Sequence, residues 1–365
     1  MSAASGARPA KQEQGPASNE VVELAPGVLR VQVPISFTGL GHVNCYVLLD
    51  ERGAAVVDAG LPGRATWQAL TARLRDAGLK VGDVHTVLVT HSHPDHFGSA
   101  GRLAHEAGAD LVAEAGFHTW LEPRPSRQQG DDTGYRLTPR GTTPWGGEPG
   151  RFVRRHIWSA RLARWHLMPG LRPPIPTRRL SHGDRIVLAG REWTALHTPG
   201  HTGDHLCLYD PETRLLISGD HVLPTITPHV PGLSPLADPL GSYLESLAAL
   251  RTIGAVDLVL PAHGHPFSDL AGRIEQIEAH HTERLDELRR LGTALGRASV
   301  MEYSRELFRR QLWGMMAESE TYAHLEYLRL RGEAERVQEG GVLYYSLEPP
   351  VEPSSGPPAA PAPPD

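Results

Sequence analysis

Three imidazoles and a carboxylate fall within six residues, His91-Ser92-His93-Pro94-Asp95-His96, directly after the apolar run Thr86-Val87-Leu88-Val89. Ligand-type side chains this dense at a strand end indicate a metal site, because imidazole nitrogen and carboxylate oxygen are donors that divalent ions take. Residues two apart in extended chain point the same way, so His91 and His93 can converge on one ion while Asp95 and His96 turn toward another. Pro94 supports this by keeping His93 out of the helical region. The plainer alternative is a solvated histidine-rich loop, and ligands elsewhere decide between the two.

Three later positions supply them. His201 sits in Thr198-Pro199-Gly200-His201-Thr202, Asp220 in Ser218-Gly219-Asp220-His221 and His263 in Pro261-Ala262-His263-Gly264. Each follows an apolar strand-like run: Trp193-Thr194-Ala195-Leu196, Leu215-Leu216-Ile217 and Val256-Asp257-Leu258-Val259-Leu260. The runs end in small or turn-forming residues that free the backbone to bring a side chain to a sheet edge. Four strand ends are therefore expected to converge on one place.

The order His-x-His-x-Asp-His, then His, Asp and His, resembles the metallo-β-lactamase superfamily of binuclear metal hydrolases, and Val56-Val57-Asp58-Ala59-Gly60 resembles its first sequence block. The resemblance implies that His91, His93 and His201 hold one metal, that Asp95, His96 and His263 hold a second, and that Asp220 bridges both. It also implies that Asp58 lies under the metals and helps orient the ligand loop. Imidazoles and carboxylates suit zinc or a similar divalent ion, and no thiolate occupies a matched position, which disfavours a closed structural site. Two such ions can share a water, lower its pKa to roughly 7 and present hydroxide while one of them polarises the attacked oxygen. Hydrolysis is the expected chemistry and two divalent ions, zinc foremost, the expected cofactors. The resemblance gives Asp95 the further role of orienting that hydroxide and receiving its proton. His205, His221 and His265 adjoin the motifs and either hydrogen-bond behind the ligands or point away. His42, His85 and His229 have no motif support.

The elements that must position these residues follow from periodicity. Val28 to Val33, Val43 to Leu49 and Ala54 to Asp58 read as a β-meander. Arg64 to Leu79 has helical spacing, Thr86 to Thr90 is the strand that delivers the first motif, Ser99 to Ala107 is a helix and Asp110 to Ala113 a strand. The second half repeats the theme with strands Asp184 to Leu188, Glu192 to His197, His205 to Tyr209 and Arg214 to Ser218, helix Ser242 to Ile253 and strand Leu258 to Leu260. An α/β fold of the αββα sandwich type, over residues 20–268, is implied. Residues 1–19 read as a polar disordered tail.

Between the halves, the insertion 118–180 is longer than loops in compact domains normally are. Its arginines, from Arg124 through Arg154 and Arg155 to Arg179, face only Glu122, Asp131, Asp132 and Glu148, so it could lean over the metals and steer an anionic substrate. Lys11 and Lys80 are the only lysines, so arginine is also simply the default cation here.

Beyond the last ligand, Leu270 to Leu295, Val300 to Leu312 and Met316 to Arg331 have helical spacing, and Glu339-Gly340-Gly341 punctuates strands Ala334 to Gln338 and Val342 to Ser346. Three helices and a hairpin form a winged-helix pattern over 269–348, ahead of a Pro-rich disordered tail, 349–365. Thr321-Tyr322-Ala323-His324-Leu325-Glu326-Tyr327-Leu328 followed by Gly332 resembles the third helix of the winged-helix tail on β-lactamase-like protein 2 relatives, which include RNA endonucleases. Here, Glu318, Glu320 and Glu326 stand against Arg329 and Arg331, a poor groove-reading face. As a packing or dimerisation cap the unit needs no basic face, which leaves a homo-oligomer open. The glyoxalase II resemblance covers the metal motifs better than the carboxy-terminal third, so its substrate is not assigned.

A net charge of −6 argues against non-specific nucleic-acid binding by the whole chain. With 40% hydrophobic and 21% charged residues, the 365-residue chain can bury one large core or two smaller ones. No run approaches the roughly 20 apolar residues of a bilayer span, and the amino terminus lacks a secretory apolar segment, so no membrane partner and a cytoplasmic location are expected. Cys45 and Cys207 lie in apolar strands and read as buried free thiols. A small-molecule ester or thioester, anionic in character, is the favoured substrate, single-stranded RNA the alternative and a non-catalytic metal-binding scaffold the third reading.

Overall fold

The computed structural model describes residues 11–35, 39–119, 143–146, 172 and 174–347. Period-two alternation builds its two central layers. Tyr46 and Leu48 of strand β3 (His42–Asp50) face the second sheet while Cys45 and Val47 face outer helices. Leu206 and Leu208 of β10 (Leu206–Asp210) likewise face inward, and Cys207 and Tyr209 outward. Strands whose two faces are both covered this way lose the polar-out pattern and read as continuous apolar runs.

The first sheet runs in sequence order: β1 (Val22–Ala25), β2 (Val28–Pro34), β3, β4 (Gly53–Val57), β5 (Val84–Leu88), β6 (Asp110–Glu114) and β7 (Arg178–Leu180). The second has the order β12 (Leu258–Pro261), β11 (Leu215–Gly219), β10, β9 (Arg191–His197), β8 (Arg185–Leu188). Outside the first sheet pack α1 (Arg64–Asp76) and α3 (Ala100–Ala107), with the single turn α2 (Pro94–Phe97) at its edge. Outside the second packs α4 (Pro239–Leu250), begun three residues before the expected start because Asp238 caps it and Pro239 fits its first turn. The αββα sandwich is therefore present.

Strand direction gathers the site. β4 and β5 are parallel, β11 and β12 are parallel, and β9 is parallel to β11 because each is antiparallel to the intervening β10. Their carboxyl ends all open on one edge, joined there by the starts of β3 and β10. Leu206 N donates to Thr90 O at 2.8 Å and Asn44 N to Ala262 O at 2.7 Å, stitching the two sheets at that edge.

The carboxy-terminal unit comprises α5 (Leu270–Leu295), α6 (Val300–Leu307), α7 (Met315–Leu330) and the hairpin β14 (Ala334–Glu339) and β15 (Val342–Leu347), which a two-residue strand β13 (Ala298–Ser299) joins as a third strand. α6 ends five residues before the expected Leu312, because Phe308 turns extended and Arg310–Leu312 forms a separate 3₁₀ turn. Leu325 and Leu328 of this unit share one core with Leu240, Tyr243 and Leu247 of α4, so the two regions are packed without an intervening linker.

Two expectations are corrected. Residues 11–19 are not a free tail: Gln12–Gln14 forms a 3₁₀ turn in which Glu13 is fully buried, its carboxylate accepting from the backbone N of Thr225 (2.8 Å) and Ile226 (3.1 Å). A polar segment can dock without apolar burial when its charge meets otherwise unpaired donors. Arg178–Leu180, placed in the irregular insertion, is the edge strand β7. Within that insertion, Trp145 is buried against the carboxy-terminal unit, its Nε1 donating to Glu318 at 2.9 Å. Arg178 and Arg179 cap backbone carbonyls, while the insertion's arginines from Arg124 to Arg164 lie outside the described residues. So do 1–10 and 348–365.

Candidate metal centre

At the shared edge, His91, His93, His201 and Asp220 form one group of facing donor atoms, and Asp95, His96 and His263 a second. All seven residues singled out in the sequence are brought together. The Asp220 carboxylate touches both groups, with Oδ2 3.4 Å from His201 Nε2 and 3.5 Å from His96 Nε2, and Oδ1 3.2 Å from His263 Nε2. Asp95 Oδ2 lies 3.5 Å from both His96 Nε2 and His263 Nε2.

The outward nitrogens determine what the inward ones can do. His96 Nδ1 donates to Asp58 Oδ2 at 2.8 Å, His201 Nδ1 to the His229 carbonyl at 2.7 Å and His263 Nδ1 to the His42 carbonyl at 2.7 Å. His91 Nδ1 donates to Thr90 Oγ1 at 3.1 Å, which in turn donates to Asp58. With a proton held outside on each ring, the inner Nε2 atoms present lone pairs. His93 Nδ1 is 3.0 Å from both His91 Nε2 and His201 Nε2, and one proton cannot serve both contacts. His96 Nε2, His263 Nε2 and Asp220 Oδ1 make no hydrogen bond among the described residues although they are buried. Buried lone pairs converging without protons between them fit divalent cations better than any hydrogen-bonded arrangement.

Electrostatics distinguish the two groups. Burial opposes the charged forms of His96 and His263, but the facing carboxylates outweigh it and raise both, His96 well above the ordinary histidine range. The second group therefore calls for positive charge at these nitrogens, as a bound cation would supply it. Burial drives His91 well below the ordinary histidine range and His93 down to about 3, with neighbouring imidazoles adding to the effect. Burial pushes the Asp95 carboxyl up, but the facing His96 and His263 outweigh it and hold it at about 2. Asp220 is held well below its usual value in the same way.

Local backbone serves this arrangement. Asp58 sits just past β4 at φ 60°, an uncommon conformation for a residue other than glycine, and from there its carboxylate also accepts from Thr90 N at 2.9 Å. Gly219 has φ 51° and an added Cβ would lie 2.6 Å from His205 Nε2, the atom that accepts from Asp220 N at 3.1 Å. His205 thus stands behind Asp220. His221 has both ring nitrogens unpaired among the described residues and stacks between His205 and Tyr243, and His265 is exposed.

Sequence reasoning missed His42, Asn44 and His229. Asn44 Nδ2 donates to the carbonyls of Pro261 (2.7 Å) and Gly264 (2.9 Å), bracketing the His263 turn. His42 and His229 act through their main-chain carbonyls, which carry no side-chain signal. The alternation of His42 and Asn44 at the start of β3 was the available clue.

An edge of two packed sheets lined with buried, converging imidazoles and carboxylates defines a metal-dependent hydrolase. The family model described as the metallo-beta-lactamase superfamily matches residues 38–263, and the chain belongs to that superfamily. Among curated relatives, a probable metallo-hydrolase, YqjP of Bacillus subtilis, is 25% identical over 87% of this chain and 97% of its own length. The human acyl-coenzyme A thioesterase MBLAC2 is 29% identical over 67% of this chain and 80% of its own. A solved beta-lactamase domain protein from Burkholderia ambifaria superposes with a TM-score of 0.71 at 31% identity, covering 92% of this chain and 95% of that one. Among the described residues no helix is long and apolar enough to cross a membrane.

Proposed function

We propose that this hydrolase cleaves a thioester, with His91, His93 and His201 holding one divalent ion, Asp95, His96 and His263 a second, and Asp220 between them. Zinc is the ion best suited to the donor set. The observation that carries the binuclear reading is the pair of donor groups sharing one carboxylate, and the thioester reading is supported by similarity to a relative named as an acyl-coenzyme A thioesterase. When bound, such ions lower the pKa of a water to about 7 and polarise the carbonyl under attack. Asp95, ionised between His96 and His263, orients the attacking oxygen and takes up its proton as the tetrahedral adduct collapses. Asp58 keeps His96 in the tautomer that offers Nε2 inward and, through Thr90, does the same for His91.

An anionic substrate such as a coenzyme A ester matches the arginine excess of residues 118–180. We read the carboxy-terminal unit as a winged-helix cap on the catalytic domain. Its helix α7 packs against the 229–233 loop, where Gly232 N donates to Ser319. Metal analysis alongside assays on an acyl-coenzyme A thioester, an oxygen ester, a lactone and single-stranded RNA, with wild type and His263→Ala, tests the reading. Thioester turnover lost in the variant is expected. RNA cleavage lost in the variant, with no thioester turnover in wild type, would overturn it.

A further inference from the structure

We propose that Glu320, on α7 of the carboxy-terminal unit, is a positioning residue for His201, so that this unit completes the metal centre of the catalytic domain. His201 Nδ1 donates to the carbonyl of His229, 2.7 Å away, and that bond selects which nitrogen of His201 faces the other ligands. His229 lies in the loop between Asp220 and α4, which has no strand or helix of its own to hold the carbonyl in place. Around His229 the loop is held by the carboxy-terminal unit, while Glu13 accepts from Thr225 N and Ile226 N nearer the start of the loop. Glu320 Oε2 is 3.3 Å from His229 Nδ1, and both side chains are largely shielded from solvent. Three residues on, Gly232 N donates to Ser319 O and Ser319 Oγ, each at 3.0 Å, and an added Cβ at Gly232 would lie 2.5 Å from Tyr322 and 2.6 Å from Ser319 O. The start of the same loop is held by Arg273 of α5, whose Nε donates to Leu223 O at 2.6 Å and Nη2 to Ile226 O at 2.7 Å.

The loop is thus pinned on both sides of His229 by main-chain contacts, and Glu320 supplies the one side-chain grip on His229 itself among the described residues. Because a ligand's outward partner governs both its orientation and its basicity, loosening this grip should weaken the metal site that contains His201. The proposal depends on His201 as a ligand and is independent of the substrate.

The test uses the full chain. Zinc affinity is measured by competition with a chromophoric chelator and the site's geometry by the absorption spectrum of the cobalt(II)-substituted protein, for Glu320→Ala, His229→Ala, the double variant, Glu320→Gln and His201→Ala. Thermal unfolding of the metal-free proteins monitors the fold. Glu320→Ala and His229→Ala should each weaken zinc binding about 10-fold and alter the cobalt spectrum, and the double variant should do no more than either single one. Glu320→Gln, which can still accept from His229, should restore affinity to within about twofold. Unchanged affinity and spectrum in Glu320→Ala, or additive losses in the double variant, would overturn the proposal. If Glu320→Ala fails to fold, His229→Ala and Glu320→Gln decide: wild-type binding in the first, or a 10-fold loss in the second, would overturn it as well. His201→Ala separates the levels. Full affinity there removes the ligand assignment itself, whereas impaired His201→Ala with unimpaired Glu320→Ala removes only the positioning role.

Discussion

Among the described residues, histidines are buried side by side in two places, at the sheet edge and between α5 and α7, and their nitrogens are occupied differently. At the edge, His91, His96, His201 and His263 each send one N–H outward to an oxygen and turn a bare nitrogen inward, where Asp95 and Asp220 face them. Between the helices, His281 Nδ1 and His324 Nε2 lie 3.1 Å apart and His324 Nδ1 donates to the Glu320 carbonyl at 2.7 Å, so the pair shares a proton along one chain. The first cluster leaves lone pairs converging on a point. The second joins its two rings in one hydrogen-bonded chain, leaving only His281 Nε2 unpaired among the described residues, and burial lowers the pKa of both rings, with His324 adding to the effect on His281. Histidine density does not make a metal site. Outward protons locked by oxygen acceptors, with carboxylates facing the exposed lone pairs, do.

The sharpest way to break this contrast is to remove an inward nitrogen. His263→Ala should lower bound metal, measured by elemental analysis, and abolish turnover, because Asp95 and Asp220 would then face each other with one cation donor fewer. Next, Asp95→Asn should retain some metal but lose turnover by about 10²–10⁴-fold; wild-type turnover at full metal occupancy would remove Asp95 from the chemistry. Asp58→Asn leaves the shape of the site but loses the carboxylate that accepts from His96 and Thr90, and should weaken metal binding by about 10- to 100-fold in a chelator titration.

The second cluster should respond in the opposite sense. His281→Leu leaves His324 Nε2 unpaired and should cost about 1–3 kcal/mol of stability in denaturant unfolding, with metal content unchanged. It should also flatten the acid side of the stability profile. A buried histidine whose folded pKa is depressed takes up protons more readily when unfolded, so its contribution is present above about pH 6.5 and is lost as pH falls below that value. Between pH 6.5 and 5 the variant should therefore lose less stability than wild type. The smallest effect is expected of Arg154→Ser with Arg155→Ser: a higher KM for an anionic thioester and none for a neutral one. Equal effects on both would count against steering.

Much of the centre was legible because its ligands are local features. His91 follows the last residue of β5 by three positions, and His201, Asp220 and His263 follow the last residues of β9, β11 and β12 by four, one and two. An apolar run ending in glycine or proline is visible in one dimension. The docking of Glu13 was not, since a charged residue in a polar segment has no periodicity and its partners Thr225 and Ile226 lie more than 200 residues away. The strand Arg178–Leu180 was hidden for a related reason: two of its three residues are exposed arginines, and only pairing with β6 makes it a strand.

By itself the sequence determined the identity and order of the seven candidate donors, the alternation that buries two sheets back to back, and the helices outside them, because side-chain type and spacing carry all three. Tertiary structure alone decided which nitrogen of each imidazole turns inward. That choice rests on oxygen acceptors brought from elsewhere, the His42 carbonyl to His263 across 221 positions and the His229 carbonyl to His201 across 28. A main-chain carbonyl is the same at every residue, so its role exists only once the fold has placed it.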